Sequence, residues 1–234
     1  MDLTKFNPPT VVKKIAQRYK AGYSPVVLIV GKMRIGKTTK AYLFAQILSQ
    51  MLFNHSWEWR NNTIVSFDQF VEKIDNPNPE ILIIDECQRI FSKRDIFKAD
   101  SVLFSKLITS QAYKHYIVML ILPRASALAT EHAYNVNYVI PVSNRKLCQP
   151  YRIESNEWDI ALKQKKINKF PLSHFELDIN KKEIKKVFAE ELTHLSEFKK
   201  FIEDNLKEPI MKETMEALRK RKNKQIEEEL KQFL

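Results

Sequence analysis

Glycine occurs only three times in 234 residues, and two of the three, Gly31 and Gly36, bracket one short loop. That loop reads Gly31-Lys32-Met33-Arg34-Ile35-Gly36-Lys37-Thr38, followed by Thr39. Glycines at these ends let the backbone wrap so that successive N–H groups converge on phosphate oxygens. Lys37 has the length and charge to reach the terminal phosphates of a nucleotide, and the Thr38 hydroxyl can ligate magnesium. Residues 31–39 are therefore the candidate phosphate-binding residues, in the spacing of a Walker A motif. A second feature lies at Ile81-Leu82-Ile83-Ile84-Asp85-Glu86, an apolar run ending in two adjacent carboxylates. Asp85 is placed to hold magnesium through water, and Glu86 to act as general base toward an attacking water.

Such chemistry needs rigid elements to aim it. The pure apolar run Val26–Val30 predicts a buried strand leading into the loop, and residues 38–53 predict a helix leading out of it. The dipole of that helix puts its positive end at the phosphates. Residues 9–20 predict an earlier helix, opened by Pro8-Pro9. Residues 63–66 predict a short strand, and Ser66 with Gln69 predicts a capping box opening a helix to Ile74. Ile81–Ile84 and Ile117–Leu122 are two more buried strands, with a helix over residues 101–114 between them. Further strands are expected at 138–141 and around 151–153. This alternation implies right-handed crossovers, hence an α/β fold with a mainly parallel sheet and helices on both faces. From Lys181 the pattern changes to one amphipathic helix over Ile184–Leu206, an interruption at Pro209 and a charged helix to about Phe233. The expected division is residues 1–180 as the catalytic domain and 181–234 as a helical appendage.

The net charge of +11 favours a polyanionic partner. Residues 181–234 hold 14 basic against 12 acidic side chains, whereas residues 1–180 hold 25 against 16. DNA binding is accordingly expected in the first 180 residues. Cys87 and Cys148 lack metal or redox spacing, and the five histidines do not complete a zinc pattern. The first residues carry no secretory signal pattern, and no apolar run is long enough for a membrane span, so a cytoplasmic location is expected.

Together the two motifs and the apolar strands resemble the ASCE division of P-loop ATPases over roughly residues 20–145. Within it the chain is most similar to the HerA/FtsK superfamily, especially the compact genome-packaging ATPases of archaeal viruses. The resemblance implies a three-layer RecA-like core with ATP and magnesium as cofactors. It also implies a DNA-translocating motor, assembled as a homo-oligomeric ring on double-stranded DNA with capsid or other viral proteins as partners. Ring-forming relatives complete each site with an arginine from the neighbouring subunit; Arg89, Arg94, Arg124 and Arg145 are the candidates, led by Arg94 and Arg124. Residues 117–126 resemble the family's strand that ends in a sensor glutamine and an arginine. Pro123 stands at the glutamine's place and has no donor to sense with; Gln88 and Gln111 are the alternatives. Trp57 and Trp59, beside Arg60, are either a base-stacking platform or a packed corner. Two other readings stay open: an AAA+-type helicase loader with residues 181–234 as its lid, and a nucleotide-binding scaffold with vestigial hydrolysis.

Overall fold

The computed structural model describes residues 6–75, 80–87, 115–128, 135–156, 166–209 and 211–220. Four apolar runs form strands where their composition predicts: β1 (Val26–Val30), β3 (Ile81–Ile84), β4 (Ile117–Leu122) and β5 (Tyr138–Pro141). Every residue of β1, β3 and β4 is buried, as expected of parallel strands covered on both faces. The period-two geometry of a strand divides them cleanly. Val27 and Ile29 face a core shared with α2 (Lys37–Phe53), while Val26, Leu28 and Val30 face a second core with Phe70 and Ile74 of α4 (Phe67–Asp75).

The sheet runs β2-β3-β4-β1-β5-β7-β8, with β2 at Thr63–Ile64, β7 at Tyr151–Asn156 and β8 at Lys166–Pro171. The first five strands are parallel; β7 and β8 extend the sheet in antiparallel fashion. The strand lying between the two motifs in sequence, β2, sits at the outer edge. The one lying between them in space is β4, which follows both. A small separate sheet pairs β6 (Leu147–Cys148) with β9 (Phe175–Glu176). These two strands and β8 are too short or too polar for an apolar pattern to mark them.

Among the helices, α1 (Thr10–Lys20) and α2 form close to their expected bounds. Ser66 caps α4 through its Oγ, which accepts from the Gln69 N–H at 3.3 Å, while the Gln69 side chain reaches back to the Val65 N–H at 3.1 Å. The short helix α3 (Trp59–Asn62) carries the tryptophan corner. Trp57 and Trp59 are buried, and the Trp57 Nε1–H donates to the Ile81 carbonyl at 2.7 Å. They are a packed corner and present no stacking platform. Cys87 and Cys148 are buried free thiols, both pushed up first by burial.

The C-terminal region is helical, but its first segment is two helices rather than one: α5 (Lys182–Val187) and α6 (Ala189–Ile202). The break falls at Phe188 (φ −108°, ψ 28°), whose side chain is fully buried against the body. Phe198 packs on Tyr42 of α2, ring centroids 4.9 Å apart, and on both tryptophans. Burying a phenylalanine side chain of this size contributes about 2 kcal/mol, and the Tyr42 hydroxyl adds a 2.9 Å bond to the Glu191 carbonyl. After α6 the chain widens into a π-helical turn, Glu203–Lys207. Residues 208–209 and 211–220 are helical, so helix is described on both sides of the interruption expected at Pro209.

Candidate nucleotide-binding site

β1 delivers the glycine loop to the carboxyl edge of the sheet. The loop folds as it does because of backbone constraints at its two glycines. A Cβ on Gly31 would clash with the Ile35 side chain and come within 2.6 Å of the Val142 carbonyl oxygen. Gly36 has φ +89° and is the residue immediately before α2, a left-handed position glycine occupies without steric cost. Arg34 also lies in the left-handed region, at φ 62°. Lys32, Met33 and Arg34 are exposed around the rim, while Lys37 and Thr39 are buried at the base.

The Lys37 ammonium turns back over the loop and donates to the carbonyls of Gly31 and Lys32, both at 2.9 Å. Burial lowers its pKa, opposed by the nearby charges of Glu86 and Asp85. The next residue, Thr38, donates from Oγ1 to Asp85 Oδ2 at 2.8 Å. Asp85 is buried, which raises its carboxyl's pKa, and the Thr38 bond acts in the opposite sense. Its second oxygen, Oδ1, accepts from the Glu86 N–H at 2.9 Å. Glu86 is half-buried with φ 49°. A left-handed non-glycine residue costs about 1 kcal/mol, a strain that clusters at functional sites.

The structure thus brings Lys37, Thr38, Asp85 and Glu86 to one edge from two sequence segments 47 residues apart. The set fits a magnesium–nucleotide group on chemical grounds. A hydroxyl and a carboxylate already in contact are hard oxygen donors of the kind magnesium selects, and the loop has no room for a side chain at Gly31.

Arg124 follows β4, the strand between β1 and β3, and is exposed at this same edge next to Pro123. Arg145 is exposed on another loop, where its carbonyl accepts from Lys40 Nζ at 2.8 Å. Gln88, Arg89, Arg94 and Gln111, and the helix expected over 101–114, lie outside the described residues.

Two lysines near the site have no motif to mark them. Lys40 is buried in the first turn of α2 and its pKa is lowered by that burial; it ties the helix to the loop after β5. Lys207, from the π turn of the C-terminal region, stands close enough for its charge to act on both Lys37 and Asp85, lowering the pKa of each. It is exposed, while its neighbour Leu206 is fully buried and holds the turn in place. Lys207→Ala is therefore expected to weaken nucleotide affinity about two- to fivefold, the range of an exposed charge. The loss should shrink as salt is raised, measured by titration with a fluorescent nucleotide. An unchanged affinity at low salt would remove Lys207 from the site.

No family model matches the sequence, and no curated protein matches it. Solved structures do. The N-terminal domain of zonular occludens toxin from Neisseria meningitidis aligns with 70% of this chain and 98% of its own, at 11% identity and a TM-score of 0.42. A genome-packaging NTPase from Sulfolobus turreted icosahedral virus 2, bound to ATP-γS, aligns with 64% of this chain and 98% of its own, at 14% identity and a TM-score of 0.41. A chain of the HORMA:CdnC:Trip13 complex of Escherichia coli aligns at 16% identity and a TM-score of 0.41, over 60% of this chain. There the alignment spans only 58% of the other chain. The strand order, the glycine loop between β1 and α2, and the carboxylates ending β3 define this chain as an α/β protein of P-loop NTPase fold with a helical C-terminal region. Among the described residues no helix is long and apolar enough to cross a membrane.

Proposed function

We propose that this protein hydrolyses ATP with magnesium and couples hydrolysis to movement along double-stranded DNA, as a ring-forming motor of the kind that packages a viral genome. The observation that carries the hydrolytic part is the 2.8 Å contact between Thr38 and Asp85 at the foot of a loop that Lys37 already closes. Thr38 and Asp85 would hold magnesium, which when bound neutralises charge on the phosphates. The loop amides from Lys32 to Thr39 orient the phosphates, and Lys37 exchanges its two carbonyl partners for phosphate oxygens. Glu86 takes a proton from the attacking water. Its backbone N–H keeps Asp85 oriented, so the two neighbouring carboxylates have separate tasks.

In this reading residues 1–180 form the ATPase domain and residues 181–234 an appendage docked on α2. The DNA-coupled part is supported by the excess of basic side chains in residues 1–180 and by the motif resemblance. Capsid or other viral proteins are the partners this role requires, in the cytoplasm of a host cell. The helicase-loader reading has one observation in its favour: a C-terminal helical region that brings Lys207 to the nucleotide edge, as a lid would. ATP turnover measured with and without duplex and single-stranded DNA separates the two. The motor reading expects turnover to rise several-fold with duplex DNA. Turnover indifferent to duplex would overturn it in favour of a loader or scaffold.

A further inference from the structure

The opposite edge of the sheet holds a second basic site, separated from the glycine loop by the length of β1, roughly 15 Å. There α1 overhangs the start of β5 and leaves a cleft of about 300 Å³. Its floor is Tyr138, whose hydroxyl donates to the Lys14 carbonyl of α1 at 3.2 Å. Strand register then sets a row across three strands, because Tyr138 pairs with Arg152 and Arg152 pairs with Phe170. The row runs from beneath α1 outward to solvent.

Three cations, Lys14, Arg18 and Arg152, line this cleft, and among the described residues that line it there is no carboxylate. The Nε of Arg18 is buried and has no hydrogen-bond partner among the described residues. Burial raises the pKa of the Tyr138 phenol, and the charges of Arg18 and Arg152 pull it down. At either end stands an aromatic ring with a guanidinium over it, Arg18 at 4.7 Å from the Tyr23 centroid and Arg152 at 5.2 Å from that of Phe170. These rings are not core residues, since Tyr23 is 54% and Phe170 40% exposed.

Backbone phosphates need cations in a groove, and unpaired bases need π-faces to stack on. We infer that the cleft between α1, β5 and β7 binds single-stranded nucleic acid, with phosphates at Lys14, Arg18 and Arg152 and bases on Tyr23 and Phe170. A duplex hides the faces of its bases, so its phosphates alone could use the cleft. An acidic protein segment would match the charge and leave both rings without a partner. The cleft is a site additional to the duplex-coupled hydrolysis and independent of it.

The test is fluorescence anisotropy of labelled oligothymidylate, about 16 nucleotides long, with the full chain and no ATP. Tyr23→Ala and Phe170→Ala should each weaken binding about fivefold or more. Lys14→Glu with Arg152→Glu should weaken it further and flatten its dependence on salt. Melting temperature monitors folding; if the charge reversals lower it, the exposed Tyr23→Ala carries the test. A phosphodiester strand of the same length without bases should bind more weakly than oligothymidylate. The inference is overturned if both aromatic changes leave binding unchanged, if the baseless strand binds equally well, or if polyglutamate binds as tightly as the oligonucleotide. Hydrolysis stimulated by duplex should persist in Tyr23→Ala and Phe170→Ala. Its absence in the unaltered protein would count against the motor while leaving the cleft standing.

Discussion

Glu86→Gln protein is expected to bind ATP as tightly as the unaltered chain and to turn it over at less than a tenth of the rate. The reason lies in how the two carboxylates divide their surroundings. Asp85 is buried, bonded to Thr38 and to the Glu86 N–H, and serves as a fixed anchor. Glu86 is half-buried on a left-handed backbone at the sheet edge, where water can reach it. Glutamine keeps its size and the backbone N–H that orients Asp85, and removes only the capacity to take a proton. Lys37→Ala is the contrasting change. It deletes the cation over the loop and should abolish nucleotide binding itself. Equilibrium binding and single-turnover rates distinguish the two. A Glu86→Gln protein retaining more than a tenth of kcat, a loss below about 1.4 kcal/mol, would show that Glu86 is not the base.

The second large effect is expected from an arginine. A finger supplied across a subunit boundary is worth about 10³ to 10⁵ in kcat in GTPases. Arg124 is exposed beyond β4, between the glycine-loop strand and the carboxylate strand, and Arg94 is the other candidate. Hydrolysis per subunit should rise with protein concentration, because a finger in trans exists only when subunits touch. Mixing Arg124→Ala or Arg94→Ala protein with Lys37→Ala protein gives a directional test. An arginine variant keeps its own glycine loop and can accept an intact finger from the Lys37 variant, so mixed assemblies should regain activity. An arginine acting within its own subunit gives no rescue. Specific activity that stays flat with concentration, with no recovery in either mixture, would overturn the ring.

What was legible in the sequence was local. Three strands, β1, β3 and β4, could be read from runs of apolar residues, because a strand buried on both faces tolerates little else. The glycine loop could be read because Gly31 and Gly36 meet constraints within their own few residues: the Ile35 side chain, which leaves no room for a Cβ on Gly31, and a left-handed turn into α2. Asp85 and Glu86 were legible because they end such a run. The same apolar logic failed at β6, β8 and β9, whose pairing, not their composition, makes them strands. It also ran α5 and α6 together, since helical periodicity carries across Phe188 while the backbone there does not.

Tertiary structure alone decided what depends on distance through space. That β4 lies between β1 and β3 follows from strand pairing and is invisible in chain order. Lys207 reaches the nucleotide edge because Phe198, Ile202 and Leu206 bury themselves against the body; in sequence it is one charge in a charged segment. The tryptophans read equally well as a platform or as a corner, until Phe198 and the Ile81 carbonyl took their faces and their donor. Arg18 and Arg152, 134 positions apart, line one cleft with Tyr138 because the antiparallel pairing of β7 with β5 sets Arg152 beside Tyr138, whose hydroxyl is bonded to α1. Local sequence specifies which backbone a segment adopts and what chemistry it carries. Burial of apolar faces distant in the chain decides which chemistries come together, since that energy belongs to the packed contact and to neither segment alone.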